Sequence, residues 1–320
     1  MYSKLSTRGM SNDEWLSLRK SGIGGSDAGA ICGVNPYSSS VKVFIDKTSD
    51  KVSEINNEAV RIGHDLEQYV ADRFTEATGL KTRKSNFMYR STQYPFMIAD
   101  VDHFIVGENA GLECKTVSAY NADKWADGKI PPHYKMQCYH YMAVTGRKTW
   151  YIAAVILGRD FVYHKLSWDD EIISALIDAE ETFWNSYVLT KTMPPPDGSS
   201  FYDEAITECF PNAAKEKSVK LIGFDEKLHY RKEILDQIAE LQEKQKVIEQ
   251  EIKLYMRDST RAYSDDFTVS WSNVSSARLD AKRIKDEKPE IYAQYSKITN
   301  GRRFEIKEAN RNGQEFYQTA

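Results

Sequence analysis

The sequence predicts an α/β protein of the α+β kind, a mixed central β-sheet flanked by helices and followed by a C-terminal helical extension. Three observations predict it. Across the first two hundred residues, segments with apolar residues at helical spacing are interspersed with short strand-length apolar runs, with glycine and proline at the joints. A stretch rich in proline, glycine and serine, Lys191 to Ser200, then reads as a linker. Beyond it the pattern becomes one long, heptad-like helix.

Taken in order, "LRKSGIGGSDAGAICGVNPYSS" (Leu18 to Ser39) reads as a loop entering a helix, with Ser26 or Asp27 as N-cap. Glu58 to Ala77 has helical periodicity and stops at Gly79. Phe87 to Val106 reads as two strands or a hairpin around Tyr94-Pro95, and Gly111 to Thr116 as a further strand. Pro131 and Pro132 open a helix that runs to about Thr145 and ends at Gly146. Strands at Thr149–Leu157 and Asp160–Trp168 flank Gly158, and Asp169 to Val188 is an amphipathic helix. From Asp225 to Met256, residues Ile234, Ile238, Leu241, Ile248, Ile252 and Tyr255 form a seam, Gln245 filling the gap. That helix is roughly 45–50 Å long and reads as a brace or as a self-association element. A short β segment and a polar helical tail follow between Tyr263 and Phe304. The expected domains are 1–195, a linker 196–222, and an extension 223–320.

A chain of 320 residues can bury a sizeable core, and its 41% hydrophobic content is that of an ordinary globular protein. The net charge of −4 argues against a generally basic surface for nucleic acid. Any such contact must come from a local patch or from bound cations. Cys32, Cys114, Cys138 and Cys209 form no C-x-x-C pair, so reduced thiols and no structural zinc are expected. The N-terminus has no apolar core behind its basic residues, and the longest apolar runs, such as "YIAAVIL", are too short to span a bilayer. The expectation is a soluble, cytoplasmic protein with no membrane partner.

The chemistry concentrates in "FMIADVDHFIVGENAGLECKT", Phe96 to Thr116. A strand period of two puts Leu112 and Cys114 on one face and Glu113 and Lys115 on the other. Asp102 lies one strand earlier, across a turn through Gly107 to Gly111. Two carboxylates and an ammonium on adjacent strands suit a Mg²⁺ site completed by water and phosphate. That chemistry is metal-assisted phosphodiester hydrolysis. An isolated acid-x-lysine is more often a surface salt bridge, and Asp100 shares the face of Asp102 if the strand is regular. Two polar residues interrupt apolar helical stripes and add weight. Glu67 falls on the face of Gly63, Val70 and Phe74; Gln137 falls on that of Tyr134, Tyr141 and Thr145. An unpaired buried carboxylate is costly, so Glu67 needs a cation or a donor. At the helix after Gly24-Gly25, free N–H groups with Arg19 would make an anion pocket.

In this order the motifs R-x6-S with "GIGGSDA", "GHDLE", D-x10-E-x-K and "MQCYHYMAVTG" resemble the YqaJ-like viral recombinase family. These are relatives of phage lambda exonuclease in the PD-(D/E)xK nuclease superfamily. The resemblance spans about Leu16 to Trp168 and implies a restriction-endonuclease-like core. It implies Asp102, Glu113 and Glu67 as metal ligands, Lys115 and Gln137 as catalytic partners, and Arg19 and Ser26 as the grip on a DNA 5′-phosphate. The Gln alignment can slip to Tyr139. Val101 and His103 replace the common Pro and Gly beside the metal Asp, which keeps Asp100 open as the ligand. The implied activity is 5′-to-3′ exonuclease action at double-stranded DNA ends with Mg²⁺, two ions, Mn²⁺ substituting. It would leave 3′ single strands for a phage annealing protein, from a homo-oligomeric, trimeric ring. Trp15, Tyr37 and Trp125 are candidates to stack or wedge bases. The competing readings are a structure-specific or restriction-like endonuclease and a non-catalytic end-binding recombination accessory.

Overall fold

The computed structural model describes residues 1–49, 58–214, 218–298 and 301–308. It comprises two units, Met1–Pro211 and Asn212–Ala320. The first runs β1 (Tyr2–Ser6), α1 (Asn12–Lys20), α2 (Gly25–Ile31), α3 (Ser40–Thr48), α4 (Glu58–Thr78), β2 (Thr82–Lys84), β3 (Phe87–Ser91) and β4 (Ile98–Asp100). It continues through β5 (His103–Ile105), β6 (Ala110–Val117), α5 (Pro132–Thr145), β7 (Thr149–Ile156), β8 (Asp160–Ser167), α6 (Asp170–Phe183) and α7 (Ser200–Cys209). The expected stops hold: Gly79 and Gly146 close α4 and α5 at φ of 74° and 70°, where a side chain would be strained.

The central sheet has the order β2-β5-β6-β7-β8 and is antiparallel except for β6 and β7. Parallel neighbours need a crossover, which α5 supplies. Both faces are covered, and β7 shows how. Trp150, Ile152 and Ala154 pack with Cys138, Tyr141 and Met142 of α5. Tyr151 and Ala153, alternating with them, pack with Val70, Ala71 and Phe74 of α4. The same alternation on β6 sends Leu112 to the α4 side and leaves Glu113 and Lys115 on the α5 side. A second sheet, β1-β3-β4, is antiparallel throughout. The chain leaves it after Asp100 and enters the central sheet at His103.

Residues 196–222, expected as a linker, include α7, whose Tyr202 and Ala205 pack with Val41 of α3. Residues 215–217 of that span lie outside the described residues. The second unit holds α8 (Asp225–Met256), β9 (Arg261–Tyr263), β10 (Thr268–Ser270), α9 (Ala281–Glu287) and α10 (Pro289–Tyr295). β9 and β10 pair antiparallel, and α8 spans the residues its seam predicts. Residues 299–300 and 309–320 of the extension lie outside the described residues. The four cysteines are free, and among the described residues no helix is long and apolar enough to cross a membrane.

Candidate active site

β6 carries the centre of the site. Glu113, 2% exposed, pairs in register with Ile152, and Lys115 with Ala154, both in the middle of the sheet. Asp102 sits in the break between β4 and β5, where its carboxylate accepts the Cys114 N–H at 2.8 Å. That bond lands on the backbone between Glu113 and Lys115 and brings the three side chains together. Oε1 of Glu113 accepts from Lys115 Nζ at 2.6 Å and from Gln137 Nε2 at 2.7 Å. Oε2 of Glu113 is buried with no partner among the described residues. The Asp102 carboxyl is near enough to hydrogen-bond Glu113 once protonated.

Burial raises Asp102 well above the ordinary carboxylate range, with Glu113 and then Glu67 adding repulsion. Burial raises Glu113 as well, Lys115 countering it in part. Burial works against the charge on Lys115, but Glu113 first, then Tyr134 and Asp102, outweigh it and hold the ammonium above its ordinary value. Lys115 therefore stays a cation, while two carboxyl groups face each other short of positive charge.

α5 supplies the other wall. Gln137 is buried and bonds three groups: Glu113, Lys115 through Oε1 at 3.1 Å, and the Tyr141 hydroxyl at 2.9 Å. Gln137, one helical turn before Tyr141, faces Glu113 and Lys115, and Tyr139 makes none of these bonds. α2 lies against this helix because it offers glycine there. A Cβ on Gly25 would stand 2.5 Å from Tyr141 Cε1, and one on Gly29 would stand 2.7 Å from His133 Cβ. Any side chain at either position would push α2 away.

A divalent cation fits the Asp102–Glu113 pair, since it would supply the missing positive charge and a partner for Glu113 Oε2. Their hard carboxylate oxygens are donors of the kind Mg²⁺ and Mn²⁺ take. Glu67 is the third expected ligand. Its Oε1 forms an ion pair with Lys84 Nζ of β2 at 3.0 Å but is buried with no hydrogen-bond partner among the described residues. Among the described residues no three His, Cys, Asp or Glu side chains converge tightly enough to hold a metal ion. Glu67 is still near enough to raise Asp102.

The second cluster is built by the α1–α2 junction. Ile23 docks beside β4, its N–H donating to Phe96 O at 2.6 Å and its carbonyl accepting from Ile98 N at 2.9 Å. This sets Arg19 and Ser26 near the end of β4, and Arg19 Nη2 donates to Ser26 Oγ at 2.8 Å. The Arg19 guanidinium lies over the Trp15 ring at 4.8 Å, and Trp15 Nε1 donates to Asp100 at 3.0 Å. Asp100 thus belongs to Trp15, and Asp102 to the strand that carries Glu113. Burial raises Asp100, Trp15 and Arg19 countering in part, and Glu67 adds to the rise. The two clusters therefore meet through Asp100 and Glu67.

One expectation needs correction. The N-cap of α2 is Gly24, and Asp27 is the third helical residue, accepting the Gly24 N–H at 2.8 Å. Neither Ser26 nor Asp27 caps the helix. The glycine pair turns the chain inside the loop, and Asp27 reaches back as an N3 acid does. Asp27 is in turn held by Lys47 at 2.8 Å, whose side chain is only 1% exposed. Burial opposes the charge on Asp27, but Lys47 and Arg19 outweigh it and keep the carboxylate below its ordinary range. Lys47 also donates to the Arg19 carbonyl at 3.1 Å, tying α3 to the pocket.

Sequence reasoning missed several residues here. Tyr134 places its ring 4.6 Å from Lys115 Nζ, and His133 stacks on it at 4.0 Å. Burial pushes His133 down to about 4, helped by Lys115 and Lys124. His140 and Glu180, both 0% exposed, meet at 2.8 Å, and His140 Nε2 donates to the Ile98 carbonyl at 2.8 Å. This ties α5 and α6 to β4. The signal was present, since each is a polar residue inside an apolar helical stripe, as Gln137 is. Of the aromatic candidates, Trp125 is buried and Trp15 is engaged beneath Arg19, while Tyr37 is exposed with its hydroxyl 3.0 Å from Lys124 Nζ.

A profile of the YqaJ-like viral recombinase domain matches residues 14–148. The YqaJ protein of Bacillus subtilis (strain 168) is 40% identical over 306 residues, spanning 94% of this chain and 96% of its own length. Among solved structures, an alkaline exonuclease from Laribacter hongkongensis matches at 16% identity and a TM-score of 0.49. That match covers 62% of this chain and 100% of the other. A phage-related exonuclease from Haemophilus somnus 129PT matches at 13% identity and a TM-score of 0.40, over 55% of this chain and 99% of its own.

Proposed function

The chain belongs to the YqaJ-like viral recombinase family, and from that premise we propose a divalent-metal-dependent exonuclease. It enters at double-stranded DNA ends, hydrolyses the 5′-terminated strand, and leaves a 3′ single strand for recombination by annealing. One observation carries the reading. Glu113 is buried with an unpartnered carboxylate oxygen beside the half-buried Asp102, and the same Glu113 anchors an ammonium and an amide through its other oxygen.

Asp102 and Glu113 would hold the cation, Mg²⁺ or Mn²⁺, with Glu67 able to join once released from Lys84. A bound divalent ion supplies Lewis acidity at the scissile phosphate and acidifies a water. Lys115 stays protonated, so it acts as a donor that orients that water and offsets charge developing on the phosphate. Its high proton affinity argues against a role as general base. Gln137 holds Glu113 and Lys115 in their relative positions. Arg19, its plane fixed on Trp15, and Ser26 grip the 5′-phosphate and set the next phosphodiester over the carboxylates. A trimeric ring and an annealing protein as partner belong to the same proposal.

The test is a digestion time course on linear duplex DNA with 5′-phosphate or 5′-hydroxyl ends, with Mg²⁺, Mn²⁺ or EDTA, beside a closed circle. Mononucleotides released from the phosphorylated linear duplex, and stopped by EDTA, are the expected result. Cutting of the circle would replace the proposal with an endonuclease, and end binding without cleavage would replace it with an accessory role.

A further inference from the structure

A helix of a folded unit normally turns its apolar stripe to a core. On α8 most of that stripe is uncovered: among the described residues Ile238 is 43% exposed, Leu241 64% and Ile248 57%, while Ile252 is partly buried. Its spacing is unbroken. Steps of four and three lead from Ile234 through Ile238, Leu241, Gln245, Ile248 and Ile252 to Tyr255. In heptad terms Ile234, Leu241, Ile248 and Tyr255 are d positions, and Ile238, Gln245 and Ile252 are a positions.

We propose that α8 associates with α8 of a second copy of this chain, in parallel and in register. Two features choose that occupant over an unrelated apolar partner. The first is Gln245, the one polar residue in the seam. Parallel, in-register pairing sets a against a, so each Gln245 amide meets its own copy and the two hydrogen-bond across the axis. Antiparallel pairing sets Gln245 against a leucine or isoleucine at d and buries an amide without a partner. Within one chain Gln245 donates to Glu249 at 2.9 Å on the open surface, a bond that association would release.

The second is the charge pattern along the seam's edges. In parallel register each g residue faces the e residue five positions on in the other copy. Lys244 then meets Glu249, an attractive pair made twice. Gln237 meets Gln242, and the position facing Glu251 is Met256, which is only 3% exposed and packed within its own chain, so no like charges oppose. Tyr230 and Leu235, both exposed large apolar residues, form the flanking pair at the start of the seam. Pairing centred antiparallel would oppose the two Lys244 side chains. β-Branched isoleucines at both a and d also favour three or more strands over two, and the same contacts then recur between each adjacent pair of helices in the bundle. None of this depends on the nuclease reading.

The experiment uses the full chain with exposed Cys209 replaced by serine and one cysteine added, as Leu241→Cys, Gln245→Cys or Lys246→Cys. Under a glutathione redox buffer, the first two are expected to form interchain disulfides at least tenfold faster than Lys246→Cys, which lies on the outer face. Leu241→Asp combined with Ile248→Asp should reduce the mass seen by light scattering or abolish its concentration dependence. Equal cross-linking at all three positions, or none at any position singly or in mixtures, would overturn self-association through the seam. Cross-linking only when Leu241→Cys and Gln245→Cys chains are mixed would overturn the parallel register.

Discussion

Replacing Asp102 by asparagine should make the metal-free protein more stable while ending its response to metal. The carbonyl of the introduced amide can keep the Cys114 N–H, which Asp102 accepts at 2.8 Å. Its NH₂ group then faces Glu113, whose Oε2 has no partner. A buried acceptor left unsatisfied costs about 1–3 kcal/mol, so satisfying it and removing one of two facing carboxylates should stabilise by about that amount. For a unit of this size each kcal/mol moves the melting temperature by about 2–4 °C. In EDTA at pH 8 the variant should therefore melt about 2–8 °C above the wild type, taking about 1–2 kcal/mol as the gain that survives repacking. In Mg²⁺ the order reverses: a ligand at one hundred times its dissociation constant stabilises by about 2.7 kcal/mol, and only the wild type can bind it in this way. Differential scanning calorimetry in EDTA and in Mg²⁺ measures all four values. A variant less stable than wild type in EDTA, or one that keeps the full Mg²⁺ shift, would refute the reasoning.

The same geometry makes three further predictions. Lys115→Ala should fold and still bind Mg²⁺ by calorimetric titration, yet lose at least about 100-fold in cleavage, the usual scale for one electrostatic donor at a reacting centre; cleavage near the wild-type rate would remove the core of the mechanism. His133, pushed down to about 4 from an ordinary 6.5, binds fewer protons folded than unfolded between those values. Its contribution to stability is thus present above 6.5 and lost as pH falls towards 4, a slope that His133→Asn should flatten. NMR titration of the imidazole gives the direct check, and titration at or above 6.5 would contradict it. Gly29→Ala places a Cβ 2.7 Å from His133 Cβ and 2.9 Å from its Cα, contacts that no rotamer relieves. Overpacking of this kind costs about 1–3 kcal/mol, read as a lower melting temperature together with weaker 5′-phosphate discrimination as α2 shifts.

The strands β6, β7 and β8, the closing glycines of α4 and α5, and the whole of α8 were legible because each is a local matter of periodicity and punctuation, whereas the short strands β1 and β2 went unread and Phe87 to Val106, read as two strands or a hairpin, holds three. The pairing of Glu113 with Lys115 was legible for the same reason: both sit on one strand and a period of two carries them to one face. Gln137 announced itself as an amide inside an apolar stripe. His140, Glu180 and His133 carried the same kind of signal and were overlooked because no motif drew attention to them. The cap of α2 was misread because Ser26 and Asp27 are favoured cap residues, and the Gly24 turn that displaces the cap by two positions depends on Ile23 docking beside β4.

By itself, then, the sequence determined which side chains could do chemistry and which local face each would occupy. Only the tertiary structure set the surroundings of Asp100 apart from those of Asp102. Alternation is a property of one strand in one sheet, and here the chain passes from one sheet to another between those two residues. Asp100 ends β4 and turns to Trp15; Asp102 lies in the crossing and reaches β6. The partner of Glu67 was decided the same way, since Lys84 comes from an edge strand that local periodicity does not connect to α4. The contact of Arg19 with Ser26 likewise required the whole loop to be placed, because no periodicity relates residues on either side of a turn.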